Sequence, residues 1–166
     1  MLASARTADE SARHRRPAST PSLGRDSALL QLAGPLRGER VLIIGAGALE
    51  LLCAALHRGA TKASLIRQGT SPEERSADLV IVTEAENPAR ARDAIFRADR
   101  ALAGSGRIIL HIGLDPAQHV LNVIVQTLRM RGFPAVRLRH IGNHAVVIGS
   151  ASAAASFSCA RRGVGS

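Results

Sequence analysis

Gly45, Ala46 and Gly47 follow directly on the apolar run Val41-Leu42-Ile43-Ile44 and precede a helical pattern that begins at Leu49. Glycine at a strand-to-helix turn tolerates φ > 0 and lets a ligand approach the backbone. The first turn of the following helix offers free N–H groups and a positive dipole end, which suit an anionic or polar ligand. The chemistry expected at this turn is nucleotide-type binding. Glu50 lies in the first helical turn, where it serves either as a ribose ligand or as an acid that favours the dipole.

Other chemistry-bearing residues stand where later strands are expected to end. Arg67 and Gln68 follow the second strand, Thr83 and Glu84 the third, and His111 falls in the fourth. Ligands of open α/β sheets bind beyond the carboxyl ends of the strands. Gly45, Arg67, Thr83 and His111 are therefore expected along one edge. Thr83 and Glu84 are candidates for touching a substrate, and His111 for a general base. Each also has a plain structural reading, as a strand-end threonine, a loop acid and a hydrogen-bonded histidine. His119, His140 and His144 lack the spacing of metal ligands, and no metal is expected. Cys53 and Cys159 cannot make a cysteine-based zinc site, and Cys53 is expected as a small buried residue of the first helix. Lys62 is the one lysine and there is no tyrosine, so tyrosine acid–base chemistry is excluded.

The elements that must position these residues are legible from periodicity. A short helix is expected at 27–32, a buried strand at 40–44 and a helix at 48–58 whose apolar face is Leu49, Leu52, Cys53 and Leu56. A strand at 63–66, a polar loop at 67–76 and a strand at 78–83 follow. Asn87-Pro88 opens a helix to about 103, which Gly104-Ser105-Gly106 ends. A strand at 107–112 and a helix from Asp115-Pro116 to about Arg131 come next. Two strands, 135–141 and 144–148, are joined by Gly142-Asn143, a hairpin signal. The alternation predicts an α/β fold: a doubly wound, mostly parallel sheet with a C-terminal antiparallel hairpin.

Length and composition agree with one globular domain of 166 residues and 46% hydrophobic content. The domain is expected at 26–150, between a disordered N-terminal arm at 1–25 and a flexible tail at 151–166. The formal charge of +9 is spread along the chain: +3 in residues 1–40, +4 in 41–150 and +2 in the tail. With three Phe and no Trp or Tyr there are few stacking platforms, so nucleic acid is not an expected partner. No run approaches the length of a membrane span, and the arm lacks the apolar core of a secretory signal. Its Arg, Ser and Ala content suits an organelle transit peptide, but Asp9, Glu10 and Asp26 do not. A cytoplasmic location is expected.

Three stretches resemble class I S-adenosylmethionine-dependent methyltransferases. Val41-Leu-Ile-Ile-Gly-Ala-Gly47 is similar to that family's first glycine motif. Arg100-Ala-Leu-Ala-Gly-Ser-Gly-Arg-Ile-Ile-Leu110 resembles its helix, glycine turn and strand. Leu128-Arg-Met-Arg-Gly-Phe133 with the hairpin 135–148 resembles its closing unit, in which the last strand is antiparallel and inserts into the sheet. The resemblance covers about 41–150. It implies a Rossmann-like methyltransferase fold, S-adenosylmethionine as cofactor and Gly45, Ala46, Gly47, Glu50, Arg67 and Gln68 around it.

The chain departs from the family pattern at several places. Ile43 stands where the family has an acid, and Leu49 stands at its third glycine. Arg67 and Gln68 replace the acid that ends the second strand. About ten residues replace a strand and helix between the second and third strands, and Glu73, Glu74 and Asp78 are the nearby acids. Three functions follow as expectations: a methyltransferase acting on an unknown substrate, a non-catalytic methyltransferase-fold module that binds or scaffolds a protein partner, and an NAD(P)-binding Rossmann domain. The last resemblance rests on Gly45-Ala-Gly-Ala-Leu-Glu-Leu-Leu and Gly106-Arg-Ile-Ile-Leu-His-Ile-Gly113, with Arg67 suited to a 2′-phosphate.

Overall fold

The computed structural model describes residues 23–151, apart from Gly47, Gln68, Glu84 and Asp115. The elements are α1 (Leu23–Ala33), β1 (Arg40–Ile44), α2 (Leu49–His57), β2 (Lys62–Ile66), β3 (Ala77–Val82), α3 (Pro88–Ala101), β4 (Leu102–Leu114), α4 (Gln118–Met130), β5 (Ala135–Ile141) and β6 (His144–Ser150). The six strands form one sheet in the order β2-β1-β3-β4-β6-β5. β2, β1, β3 and β4 run parallel, and β6 is antiparallel to both β4 and β5. The expected doubly wound sheet with its closing hairpin is thus the observed one. The arm and the tail lie outside the described residues, except for Ala151 and for the start of α1 at Leu23, within the stretch assigned to the arm.

The centre of the sheet is buried on both faces, which is why its central strands read as unbroken apolar runs. On one face Leu42, Ile44, Val80, Val82, Ile108 and Leu110 pack against α3 and α4 through Ile95, Ala98, Ile124 and Leu128. On the other, Val41, Ile43, Leu79, Ile81 and Ile109 meet Leu29, Leu30, Leu51 and Ala55 of α1 and α2. α3 starts as its sequence dictates. The Asn87 side chain accepts a 2.9 Å hydrogen bond from the Arg90 amide, and Pro88 occupies the first turn. Arg97 pairs with Asp93 one turn earlier at 2.7 Å.

Two local expectations are corrected. The buried face of α2 is Ala48, Leu51 and Ala55, whereas Leu49, Cys53 and Leu56 are exposed. Nearly every residue of this helix is apolar, so spacing alone does not set which side faces inward. Packing against α1 and the sheet sets it, with alanines at the close approaches. Cys53 is therefore not buried. The second correction concerns the end of α3. Residues 104–106 do not terminate the helix; they lie inside β4, which begins at Leu102 and pairs with Ala77 before its register shifts. Leu102 already has extended dihedrals and is buried. A β-carbon on Gly106 would lie 3.0 Å from the Ala103 carbonyl oxygen and 3.1 Å from that of Asp78, so glycine serves a close backbone approach at this irregularity.

The amino ends of the strands are tied by two arginine–carboxylate pairs. Arg40 donates through its backbone N–H and Nε to Asp78 Oδ2 at 2.9 and 3.1 Å, and through Nη2 to Oδ1 at 2.9 Å. Arg107 meets both oxygens of Glu39 at 2.8 Å and also donates to the Ala33 carbonyl. Bidentate pairs of this kind fix orientation as well as position. They join α1, β1, β3 and β4 at one edge and leave the carboxyl edge to other residues.

Candidate functional site

The register aligns the carboxyl edge. Ile44 pairs with Ile66 on one side and Val82 on the other, and Val82 pairs with Leu110. The next residue on each strand therefore falls in one row: Arg67, Gly45, Thr83 and His111. β1 leads outward to β2 on one side and β3 to β4 on the other, so the gap between Gly45 and Thr83 is the topological switch point of the sheet.

Gly45 has φ +146°, a value side chains rarely adopt, and its amide donates to the Ile66 carbonyl at 3.1 Å. A β-carbon here would collide with the hydroxyl of Thr83. Thr83 is buried, and its Oγ1 has no hydrogen-bond partner among the described residues. Such a group costs stability unless something else satisfies it. Ala48 precedes α2 without a side chain able to cap it, so the amides of the first turn are also left to another partner.

His111 is 4% exposed. Its Nδ1 lies 3.2 Å from the Thr83 carbonyl oxygen, and its Nε2 lies 3.2 Å from Nδ1 of His144. The two rings are tilted by 36° with centroids 4.9 Å apart. The polar edge thus runs without a break from Gly45 through Thr83 and His111 to His144.

Gly45, Thr83 and His111 come together, while Ala46, Glu50 and Arg67 are exposed around them. Gly47, Gln68 and Glu84 lie outside the described residues. Two of the other acids near the second strand, Asp78 and Glu74, are engaged elsewhere. Asp78 sits at the amino end of β3 with Arg40, and Glu74 pairs with Arg100 at 2.8 Å. Arg40 holds the Asp78 carboxyl below its ordinary pKa, first through its side-chain hydrogen bond; burial opposes this, and the backbone hydrogen bond and charge of Arg40 add to the lowering. His119 and His140 are exposed, and no group of three or more metal-ligating side chains occurs among the described residues. No described helix is long and apolar enough to cross a membrane.

His144 is the member that sequence reasoning missed. Its signal was the Gly142-Asn143 turn. A hairpin returning at that point starts its second strand beside the carboxyl end of β4, and the pairing of His111 with Val146 places His144 within reach.

No protein-family model and no curated protein matches the sequence. Solved structures match the fold. A methyltransferase described as S-adenosylmethionine dependent, from Mesorhizobium loti, aligns with a TM-score of 0.59 at 13% identity, over 75% of this chain and 96% of its own. A geranyl diphosphate methyltransferase, solved in complex with SAM, aligns with a TM-score of 0.58 at 11% identity, over 78% and 85%. An O-methyltransferase family protein from Burkholderia thailandensis aligns with a TM-score of 0.57 at 16% identity over 79% of this chain, which spans only 56% of that protein's length. At these identities the likeness speaks for the fold: the chain has the class I methyltransferase-like fold.

Proposed function

We propose that this chain is an S-adenosylmethionine-dependent methyltransferase. The observation that carries the reading is the switch-point geometry. A glycine with no room for a β-carbon, a threonine hydroxyl and a helix start that have no hydrogen-bond partner and no side-chain cap among the described residues converge where folds of this type bind ligands. The solved neighbours supply the cofactor class, since one is described as dependent on S-adenosylmethionine and another holds SAM.

The residues present fit such a cofactor at its polar end. The Gly45 turn would accept close approach, the first amides of α2 would donate to a carboxylate or hydroxyl, and the Thr83 hydroxyl, without a partner among the described residues, would gain one. Leu49 is 63% exposed, so its side chain does not plug the turn. Glu50, exposed in the first turn of α2, is the carboxylate that serves the ribose hydroxyls. When bound, the cofactor supplies an electrophilic methyl group on a sulfonium. The chain would then have mainly to hold donor and acceptor in line.

A second reading is favoured by Ile43 and Arg67. Ile43 is fully buried, and Arg67 is exposed at the end of β2 where the family has an acid. Both suit a methyltransferase fold used as a non-catalytic binding module. Calorimetric titration with S-adenosylmethionine and S-adenosylhomocysteine, with NADPH as control, separates the readings. Micromolar binding of the two methionine nucleotides is the expected result. No heat and no thermal shift at millimolar ligand would overturn the enzyme reading, and binding of NADPH alone would point to a dinucleotide domain.

A further inference from the structure

α2 is apolar on two sides, and the fold uses only one of them. Leu51 and Ala55 are buried in the cluster that holds Val41 and Ile43 of β1 and Leu29 and Leu30 of α1. Successive helical residues turn by about 100°. β1, α2 and β2 form a parallel crossover unit, which is right-handed as such units are. With Leu51 and Ala55 towards the sheet, the turn of the helix carries Ala54 towards α1 and Leu49, Leu52 and Leu56 towards β2. Leu49 and Leu56 are 63% and 45% exposed, and Leu52 is half-buried. On β2, Ala63 packs towards α2, so Leu65, two residues on, shares that face; it is 36% exposed. β2 is the last strand on this side of the sheet, and the chain passes to β3 with no further helix or strand among the described residues.

We propose that Leu49, Leu52, Leu56 and Leu65 dock a second copy of this chain about a twofold axis perpendicular to the sheet, with β2 antiparallel to the partner's β2. The helix spacing fits. α2 lies over β1 and β2, so the two α2 helices would stand two strand spacings apart, about 10 Å, close to the roughly 8–10 Å at which helices pack. The register fits as well. α2 has nine residues and β2 five, about 14 and 17 Å long, so their midpoints fall at similar levels. An axis through Ser64 sets Ala63 opposite the partner's Leu65, Lys62 opposite the partner's Ile66 and, one layer above, Leu49 opposite the partner's Leu56. No like charges meet. The other edge of the sheet differs. β5 carries Arg137 and Arg139, both exposed, which would repel a copy, whereas β2 has one charge, Lys62, at its end. The N-terminal stretch is a poorer occupant, because Met1 and Leu2 are the only apolar side chains in residues 1–22 larger than those of alanine and proline. The junction is small for a specific interface, so a micromolar dissociation constant is expected. Cys53 falls on the outward shoulder of α2, clear of the axis, and stays accessible. This surface does not depend on the methyltransferase reading.

Sedimentation velocity of the 166-residue chain, from low to high micromolar concentration, tests the proposal. A reversible monomer–dimer equilibrium is expected. Leu56→Glu should weaken the dimer at least about tenfold, by burying a charge against the partner's Leu49. Leu49→Glu/Leu56→Lys should recover part of that loss, because the two new charges meet across the axis in this register. If the helix variants do not fold, a cross-link decides. In a Cys53→Ser/Cys159→Ser background, Ser64→Cys lies beside its own copy and is expected to give a disulfide-linked dimer under mild oxidation, whereas Lys62→Cys is not. A chain that is monomeric throughout overturns the proposal. So does a dimer that Leu56→Glu does not weaken and Ser64→Cys does not capture. A monomer in which a photoreactive group at Leu56→Cys links to residues 1–22 overturns it in favour of the N-terminal stretch.

Discussion

The hydroxyl of Thr83 occupies the space that a β-carbon on Gly45 would need. One residue follows β1 and the other follows β3, so the contact couples the glycine turn to the next strand of the sheet. Gly45→Ala would bring both a collision and an unfavourable φ of +146°. A loss of about 2–4 kcal/mol in unfolding free energy is expected from overpacking and strain together. Urea denaturation of Gly45→Ala and of Gly45→Ala/Thr83→Ala checks this. The double variant should recover part of the loss, and equal losses in both would exclude the contact as the cause.

Thr83→Val should separate stability from binding. Valine keeps the shape and removes a buried hydroxyl that has no partner among the described residues. The variant is expected to be more stable by about 1 kcal/mol, since an unsatisfied buried group is a cost. Its affinity for S-adenosylhomocysteine is expected to fall up to about tenfold, the worth of one hydrogen bond. Paired thermal melts and titrations read both quantities. A destabilised Thr83→Val would mean that the hydroxyl is satisfied within the fold.

The Arg40–Asp78 pair predicts the acid limb of the stability profile. Folding lowers the pKa of Asp78, chiefly through its hydrogen bond from Arg40. A group whose folded pKa is depressed adds stability above its unfolded value, about 4, and loses it as pH falls through the folded pKa. Asp78→Asn should therefore melt at a lower temperature near pH 7, with the difference shrinking below about pH 4. Both side chains are more than a third exposed, so solvent screening keeps the effect modest. A constant offset across the whole pH range would assign the loss to geometry and not to charge.

Cys53 should react as a surface thiol. It is exposed on α2 although the sequence suggested a buried residue. In a Cys159→Ser background, a thiol reagent such as Ellman's is expected to titrate one equivalent from the native protein without denaturant. Reaction only after unfolding would place Cys53 on an inward face after all.

The sheet was readable because its central strands are buried on both faces, leaving continuous apolar runs between clear turn residues. Gly142-Asn143 announced the antiparallel hairpin in the same way. What could not be read was phase and partnership. α2 is apolar nearly all round, so only its packing against α1 and the sheet reveals that Leu51 and Ala55 face inward and Leu49 and Cys53 do not. Gly104-Ser105-Gly106 looks like a helix stop, yet the stop comes earlier because Leu102 is drawn into the sheet beside Ala77. At the candidate site Gly45, Thr83 and His111 follow from strand ends alone. His144 does not, because its role depends on a pairing across 33 residues that only the folded register supplies.

The insertion of β6 between β4 and β5 has a consequence for synthesis. β5 leaves the ribosome before β6, yet β6 is its sole neighbour among the described strands. Until His144–Ser150 has emerged, β4 presents an unpaired margin and β5 has nothing to pair with. The nascent chain therefore passes through an interval with a raw, apolar strand edge exposed, the condition that invites pairing with other chains. β6, made after β5, is the strand that seals the margin of β4.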